Sequence, residues 1–321
     1  MKYIEIVCIK TAYKYNKKSY DIVVCDEVHT QLSELYMLFF IQNSYKHIVG
    51  LTATIEDEEK KSLLSDFMPV VHTTPVNVAI ELGLISPFLI YNLSVRLTNE
   101  ETTKIASINY LYGKCESTLG GKYMCFNNAN IYKKKSYKDS HPDKHNAANM
   151  LWIHMSRRKK ILTDASNKII TTKRIVDKFP NKKILVFCKS VQMAEKINDI
   201  LGDISTIFHS NTTKLKKDQK LKNLKDFSED KYRILVSVDA LSAGLNIPKC
   251  DLGICVAGNS KTLEDTQRRG RIVRRDKENP DKVGIYFNLY IPNTQEEKWV
   301  KSRLKDVDEK YVNYIDFLEE I

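Results

Sequence analysis

Two adjacent carboxylates, Asp26 and Glu27, follow an apolar run that ends at Cys25. A parallel strand that ends in Asp-Glu holds both side chains at the carboxyl edge of its sheet, where the ligands of open α/β folds bind. There one carboxylate can hold a hydrated Mg²⁺ ion while its neighbour orients an attacking water. An ordinary acidic turn contains the same two residues, so the pair has to be judged together with the rest of the chain.

A second group of polar residues lies in the segment TQRRGRIVR at positions 266–274. If this segment is helical, Gln267, Arg271 and Arg274 lie on neighbouring turns and face one direction. Two arginines beside a glutamine suit a γ-phosphate whose charge spreads in the transition state. Gly270 costs about 1 kcal/mol in such a helix relative to alanine, which indicates a close approach or a functional demand. A basic surface helix is the alternative.

Short β-rich apolar runs alternate with helical or polar stretches along the chain. This alternation predicts a buried parallel sheet covered by helices, and a complete α/β domain from about residue 165 onward. Strands are predicted at Tyr3–Ile9, Asp21–Cys25, Ile48–Thr52, Lys183–Cys188, Ser205–Phe208, Arg233–Val238, Leu252–Val256 and Val283–Tyr290. Helices are predicted at Ser190–Leu201, Lys214–Phe227 and Thr262–Arg274, and a capping box of Asn293 and Glu296 predicts a last helix from about Thr294.

The middle of the chain, residues 94–164, is polar and rich in tyrosine and lysine, and it carries the run YKKKSYK at Tyr132–Lys138. We interpret it as a helical connector with an insertion. The run could contact nucleic acid through stacked tyrosines, or it could form a solvated lysine face.

Four residues of this connector are of the types that bind zinc: Cys115, Cys125, His141 and His145. The spacing of the two histidines is permitted in a Cys₂His₂ site, but the nine residues between the cysteines fit common fingers badly. We therefore expect purified protein to contain no stoichiometric zinc.

Composition limits the remaining possibilities. The chain has 321 residues, 42% of them hydrophobic, which is enough for two domains. A formal charge of +11 indicates a polyanionic partner, although excess lysine also keeps proteins soluble. Seven scattered cysteines without a CxxC pair fit a reducing compartment. No signal peptide and no apolar run near the roughly 18 residues of a membrane span is evident, so we predict a cytoplasmic protein without a membrane partner.

Five motifs occur in the order and rough spacing of the motifs of superfamily-two (DEAD/DEAH-like) helicases. They are DEVH, the Thr-Ala-Thr of GLTATI, VFCKS at Val186–Ser190, SAGLNIP and QRRGRIVR. The chain resembles most closely the compact DNA helicases of phages and their relatives, over most of its length apart from the insertion. The resemblance implies an α/β fold with two RecA-like parallel-sheet domains, the first incomplete at its amino terminus. The implied domains are a partial domain 1 at 1–93, the connector at 94–164 and domain 2 at 165–321.

The resemblance also implies a role for each matching residue of the nucleotide site. Asp26 would hold Mg²⁺ through water, and Glu27 would orient or deprotonate the attacking water. Arg271 and Arg274 would be arginine fingers that reach the γ-phosphate of ATP, with Gln267 assisting them. In this family ATP binding closes a cleft between the two domains and hydrolysis opens it.

Other matching residues would couple the sites or hold nucleic acid. His29 would couple the nucleotide site to the second domain, and Thr52 and Thr54 would transmit closure. Gly244 and Asn246 would lie near the ribose and phosphates, with Asn246 standing where many relatives carry Asp. The path of one DNA or RNA strand would be lined by Thr11, Lys14, Lys189, Ser190, His209 and Ser242.

The sequence departs from the family at the phosphate loop. No glycine precedes Gly50, and the pairs Gly113-Lys114 and Gly121-Lys122 lack a following Ser or Thr. We therefore expect the carboxyl-terminal portion of a helicase, from a truncated or split reading frame or from a two-chain enzyme. An amino-terminal fragment with the Walker A loop is its expected partner. We also expect residues 1 to about 90 to expose strand edges and apolar faces.

The predicted function is ATP- and Mg²⁺-dependent unwinding of, or translocation on, nucleic acid, with DNA preferred, as part of a complete helicase. One alternative is a nucleic-acid-binding subunit or remnant that does not hydrolyse ATP. Another keeps the same motor in a restriction or remodelling complex. The cytoplasm in question would be that of the host if the chain is viral.

Overall fold

The computed structural model describes residues 3–52, 58–209, 217–238, 250–276 and 278–321. The chain divides into two compact units. Unit 1 contains Met1–Gly83 and Lys261–Gln267, and unit 2 contains Leu84–Ser260 and Arg268–Ile321.

Unit 1 is built on a parallel pair of strands, β1 at Ser19–Cys25 and β2 at Ser44–Gly50. Its helices are α1 at Ile9–Ala12, α2 at Glu34–Gln42, α3 at Glu58–Phe67 and α4 at Val76–Glu81. The strand predicted at Tyr3–Ile9 is wrong. Residues 3–8 form no strand, and the Cys8 carbonyl accepts the N–H groups of Thr11 and Ala12 and so closes a helical turn.

The two faces of this strand pair differ. One face packs on a small core that includes Cys25, Phe39 and Phe40. On the other face Ile22 and Val24 are 59% and 63% exposed, because successive side chains of a strand point to opposite sides. An exposed apolar face was expected in this part of the chain, and it is present on β1.

Unit 2 contains a seven-stranded sheet in which every pair of neighbours is parallel, in the order β5-β6-β4-β7-β8-β3-β9. The strands are β3 at Phe88–Ser94, β4 at Ile184–Cys188, β5 at Ser205–Phe208, β6 at Ile234–Val238, β7 at Leu252–Cys255, β8 at Gly284–Tyr290 and β9 at Val312–Ile315. All residues of β4 and β6 are buried, as in a sheet covered on both faces. The expected α/β fold with parallel sheets is confirmed.

Strand β3 belongs to the sheet of unit 2. It pairs with β8 over seven residues and with β9 on its other side, and the predicted domain boundary at residue 93 falls within it. Tyr91 also stacks on Phe287, with ring centroids 5.4 Å apart. Because pairing over nearly 200 residues leaves no local sequence signal, neither β3 nor β9 was predicted as a strand.

The segment expected to be a helical connector contains three helices, and five more follow it within the described part of the chain. The helices are α5 at Asn99–Thr118, α6 at Cys125–Tyr132, α7 at Pro142–Thr163, α8 at Ser166–Lys178, α9 at Val191–Leu201, α10 at Lys217–Ser228, α11 at Thr262–Ile272 and α12 at Gln295–Arg303. The division between the units falls within α11.

A carboxylate joins the beginnings of α5 and α8. The side chains of Thr98 and Glu101 form a capping box at the start of α5, and Glu101 Oε1 also accepts the N–H and hydroxyl of Ser166. Burial alone would raise the pKa of the Glu101 carboxyl, but the hydrogen bonds from Thr98 and Ser166 outweigh it and lower the pKa.

The N-cap of the last helix is one residue later than predicted. Asn293 has a left-handed backbone with φ 59°, and Thr294 is the N-cap, its hydroxyl accepting the N–H of Glu296 at 3.2 Å. The predicted capping box of Asn293 and Glu296 is therefore wrong. The Glu296 carboxylate is instead turned inward, where both oxygens lie 2.8 Å from Lys168 Nζ.

Removing one partner of this ion pair is expected to destabilise unit 2 strongly. The Lys168 and Glu296 side chains are 0% and 4% exposed, so Lys168→Met leaves a buried carboxylate without its counter-charge. We expect a loss of about 3–5 kcal/mol in the free energy of unfolding, measured by urea titration. Adding Glu296→Leu is expected to recover part of that loss.

The matched control is Lys173→Met, which breaks an exposed pair with Asp177 and is expected to cost at most about 1 kcal/mol. A Lys168→Met protein as stable as the Lys173→Met protein would contradict the role assigned to the buried pair.

Candidate functional site

The acidic loop of unit 1 begins directly after β1. Asp26 is exposed, and its Oδ1 accepts the backbone N–H of Glu27 at 3.0 Å. Gln31 Nε2 donates to the Asp26 carbonyl at 2.8 Å. These bonds fix the turn and leave the Asp26 carboxylate at the solvent, at the carboxyl end of the strand.

Backbone hydrogen bonds attach this loop to the end of β2. The Leu51 N–H donates to the Cys25 carbonyl at 2.8 Å, and the Val28 N–H donates to the Leu51 carbonyl at 3.0 Å. The Val28 side chain is 1% exposed. A Cβ added at Gly50 would stand 3.1 Å from Val28 Cγ1, so glycine permits this close packing.

Four of the predicted site residues meet at the loop. His29 Nδ1 lies 2.8 Å from Thr52 Oγ1 and 3.3 Å from Glu27 Oε2. Within unit 1, Gln267 Nε2 also donates to Glu27 Oε1 at 3.3 Å. A single ring nitrogen thus lies close to both a carboxylate of the acidic loop and the first hydroxyl after β2.

Glu27 has a backbone conformation that the sequence did not predict. Its φ is 49°, in the left-handed region that a non-glycine residue adopts at a cost of order 1–3 kcal/mol. The bonds around Val28 and Gln31 hold the turn in this conformation. Such strain is concentrated at functional sites, and here it sets the direction of the Glu27 side chain.

The arginine helix ends earlier than predicted. Helix α11 stops at Ile272, and Arg274 lies beyond it in an isolated antiparallel bridge with Ile85. The Ser86 N–H donates to the Val273 carbonyl at 2.8 Å, so pairing with this neighbouring segment replaces the next helical turn. The prediction that Arg274 lies on a helical turn with Gln267 and Arg271 is wrong.

The two predicted arginine fingers differ in exposure. Arg271 is 7% exposed and Arg274 is exposed. Burial, and next the nearby charge of Arg274, lower the pKa of the Arg271 guanidinium. Arg268, which the sequence analysis did not single out, is also buried: its guanidinium carbon lies 5.4 Å from the Phe187 ring centroid. Its membership of the arginine-rich segment QRRGRIVR is the feature of the sequence that could have drawn attention to it.

The predicted nucleic-acid contacts have different environments. Thr11 and Lys14 are exposed on unit 1. In unit 2, Lys189 follows β4 and His209 follows β5, and parallel strands end at one edge of their sheet. His209, however, is only 2% exposed.

Ser190 has a structural role. Its hydroxyl oxygen accepts the N–H of Met193 at 3.0 Å as the N-cap of α9, and the hydroxyl donates to Asp164 Oδ1 at 2.8 Å. Four further predicted residues lie outside the described residues: Thr54, Ser242, Gly244 and Asn246.

The four zinc-ligand candidates do not form a cluster that could hold a metal ion. Cys115 and Cys125 pack in the apolar core between α5, α6 and α7. His145 Nδ1 donates to the Tyr132 carbonyl at 2.7 Å. Within the described ranges, no group of three or more His, Cys, Asp or Glu side chains is placed to hold a metal ion. In the same ranges, no helix is long and apolar enough to cross a membrane.

The chain combines parallel α/β units with an Asp-Glu loop at a strand end and an arginine-rich helix. Residues 167–276 match the helicase conserved C-terminal domain. This part of the chain is therefore similar to the carboxyl-terminal domains of helicases.

Two individual relatives have the names of a translocase and a helicase. The chain is 28% identical over 310 residues to the DNA 3'-5' translocase XPB2 of Sulfurisphaera tokodaii, covering 94% of this chain and 66% of that protein. It is 21% identical to putative helicase 22 of Sulfolobus islandicus filamentous virus, covering 84% and 45%. The chain thus spans less than two thirds of the length of these relatives.

Among solved structures, the chain is similar to the Pyrococcus furiosus Hef helicase domain. The identity is 18%, the match covers 88% of this chain and 73% of that one, and the TM-score is 0.52. At this identity the likeness shows the fold alone.

Proposed function

We propose that the chain is the motor portion of an ATP- and Mg²⁺-dependent helicase or translocase of the compact viral type that acts on nucleic acid, with DNA preferred. The observation that carries this proposal is the acidic loop, in which Glu27 and His29 meet Thr52 at the carboxyl end of the strand pair. The name of the XPB2 relative, a DNA translocase, supports DNA as the substrate. The proposed place of action is the cytoplasm, that of the host for a viral chain.

Each residue of the acidic loop has one proposed task. The exposed Asp26 carboxylate is a hard oxygen ligand, the kind that suits a hydrated Mg²⁺ ion. Mg²⁺ held there supplies positive charge against the phosphates. Glu27 orients the attacking water and accepts its proton. His29 ties Glu27 to Thr52, so that a shift at the end of β2 reaches the carboxylate.

Further tasks are proposed for the arginines, for the residues that contact nucleic acid and for the coupling residues. Arg271 and Arg274 stabilise charge that develops on the γ-phosphate, with Gln267 assisting. In unit 2, Lys189, Ser190, His209 and Ser242 are proposed to contact one strand, mainly through its phosphates. In unit 1, Thr11 and Lys14 are proposed to contact nucleic acid in the same way. Gly244 and Asn246 contact the ribose and phosphates, and Thr54 acts with Thr52 in coupling.

Phosphate binding is proposed to come from a partner segment. The 321 residues contain no Gly-x-x-x-x-Gly-Lys-Ser/Thr loop, whose amides and lysine cradle phosphates in such motors. The exposed face that carries Ile22, Val24 and Val49 is the kind of apolar surface that an additional helix or strand layer covers. A fragment carrying the loop would complete both the sheet and the site.

Reconstitution of ATP hydrolysis tests this proposal. The 321-residue chain alone is expected to show negligible ATPase activity, because carboxylates can position metal and water only when the phosphates are held. Fusing an amino-terminal segment that carries such a loop to it, or adding that segment in trans, is expected to give hydrolysis stimulated by DNA. Robust activity of the chain alone, abolished by Glu27→Gln, would show that another segment holds the phosphates.

The second candidate function is a nucleic-acid-binding subunit that does not hydrolyse ATP, and the absent phosphate loop favours it. Both candidates require binding that weakens with salt, with a slope of about −0.7Z for Z neutralised phosphates of a single strand. Salt-dependent binding with no hydrolysis after reconstitution would decide for the subunit. Salt-insensitive binding would contradict both candidates.

A further inference from the structure

The positive charge of the chain is concentrated in the helical segment formed by α5, α6 and α7. Residues 99–163 contain twelve lysines and arginines and five acidic residues, a net charge of +7 out of the +11 of the whole chain. The segment contains none of the helicase motifs. A fifth of the chain thus carries most of its attraction for a polyanion.

This segment has its own apolar core. Leu119, Cys125, Ala129 and Leu151 are each at most 1% exposed and pack between the three helices. Phe126 of α6 and Trp152 of α7 are not part of this core. Large aromatic rings that stay at the surface of a segment with a filled core indicate a binding site for a partner molecule.

Two of these rings lie together with a lysine. Phe126 and Trp152 are 39% and 38% exposed, and their ring centroids lie 6.0 Å apart at an interplanar angle of 51°. Lys133 Nζ lies 5.8 Å from the centroid of the Trp152 ring. Phe126, Lys133 and Trp152 together are named the aromatic–lysine patch. Lys134 and Lys135, both exposed, follow directly in sequence.

A neighbouring aromatic group is arranged differently and is not part of the patch. Tyr132 packs against the segment's core, with Tyr137 5.2 Å from its ring and Lys144 Nζ 3.4 Å from its hydroxyl. Its contacts stay within the segment. The YKKKSYK run therefore has two parts: tyrosines that hold the helices together, and lysines that extend the patch.

The combination of exposed rings and positive charge selects one kind of occupant. An apolar protein surface would leave the lysines without counter-charges, and duplex DNA hides the faces of its bases. Unpaired bases offer π-faces to the rings while their phosphates meet the lysines. We infer that the aromatic–lysine patch binds single-stranded nucleic acid, with bases stacked on Trp152 and Phe126 and phosphates held by Lys133, Lys134 and Lys135.

This site lies outside every residue assigned above to nucleotide or strand binding, and it needs no ATP. It gives the helical segment a task of its own, that of holding unpaired strand independently of the nucleotide cycle. Because stacking is tolerant of base identity, the patch has little sequence preference.

Tryptophan fluorescence tests stacking directly, because the chain has only two tryptophans, Trp152 and Trp299. In a Trp299→Phe protein the emission of Trp152 is expected to be quenched on titration with oligo(dT) of about 15 nucleotides without any nucleotide cofactor. A strand of equal length without bases carries the same phosphates and is expected to leave the emission unchanged. Equal quenching by the abasic strand, or no quenching by oligo(dT), would overturn the inference.

Substitutions separate stacking from charge. Trp152→Ala combined with Phe126→Ala is expected to weaken oligo(dT) binding at least about ten-fold with an unchanged salt slope. Replacing Lys133, Lys134 and Lys135 by Gln is expected to reduce the slope by about 2. The control is Phe317→Ala, which removes an exposed ring of unit 2 outside the helical segment and is expected to leave binding unchanged.

The outcomes for the patch and for the motor are independent. If oligo(dT) quenches Trp152 and the ring substitutions weaken binding, but the reconstituted protein never hydrolyses ATP, the aromatic–lysine patch is supported and the proposed motor function is contradicted. Restored ATPase activity with no effect of the ring substitutions would remove the patch alone. Equal losses from Phe317→Ala and the double ring variant would also overturn the inference, because the effect would then not belong to the patch.

Discussion

Glu27→Gln is expected to leave ATP affinity close to that of the unsubstituted protein and to lower turnover about 10²–10⁴-fold in the reconstituted motor. The carboxylate is held in a strained turn next to His29, and the amide keeps its shape and size. It cannot accept the proton of the attacking water. Nucleotide binding and single-turnover hydrolysis, measured separately, distinguish a lost base from lost binding.

Glu34→Gln is the matched control for this substitution. Glu34 is an exposed carboxylate in the first turn of α2 of the same unit, and nothing assigns it to the site. Its replacement is expected to leave turnover unchanged. If Glu27→Gln hydrolyses ATP as fast as Glu34→Gln, Glu27 is not the catalytic carboxylate.

Arg274→Ala is expected to lower the turnover of the same reconstituted motor by up to about 10³-fold or more, the scale of a lost arginine finger. Arg274 is exposed, so its removal costs little stability and the loss reports on the chemistry. Nucleic-acid binding is expected to change much less. The measurement is the ATPase rate at saturating DNA together with DNA affinity.

Arg275→Ala controls for the loss of one positive charge at almost the same place. Arg275 is exposed and adjacent, and no motif assigns it to the phosphate. Equal effects of the two substitutions would contradict a specific finger at Arg274. Arg271→Ala is expected to lose turnover as well, but Arg271 is buried, so its unfolding free energy has to be measured alongside.

The sequence by itself determined the class of fold and most of its elements. Short apolar runs bounded by polar turns predicted seven of the observed strands, and β5 has the predicted bounds of Ser205–Phe208. This works because burial on both faces of a parallel sheet requires a continuous apolar run, which is a local property. The position of Asp26 and Glu27 directly after a strand was likewise predictable, because an apolar run that ends at polar residues is also a local property.

Only the tertiary structure decided which strands are neighbours. The apolar run at 88–94 forms a strand that pairs with β8 and β9, while the run at 3–8 pairs with no strand among the described residues and is irregular. Backbone donors and acceptors of a strand are satisfied by whichever segment lies beside it. That choice depends on distant residues.

The site shows the same division between local and long-range causes. Spacing placed Arg271 and Arg274 on one helix, but pairing with Ile85 and Ser86 ended the helix at Ile272 and left one arginine buried and the other exposed. Helical spacing predicts which side chains share a face only for residues whose backbone hydrogen bonds continue the helix. Where another segment offers the same groups a partner, as at Val273, the tertiary contact decides which side chains reach solvent.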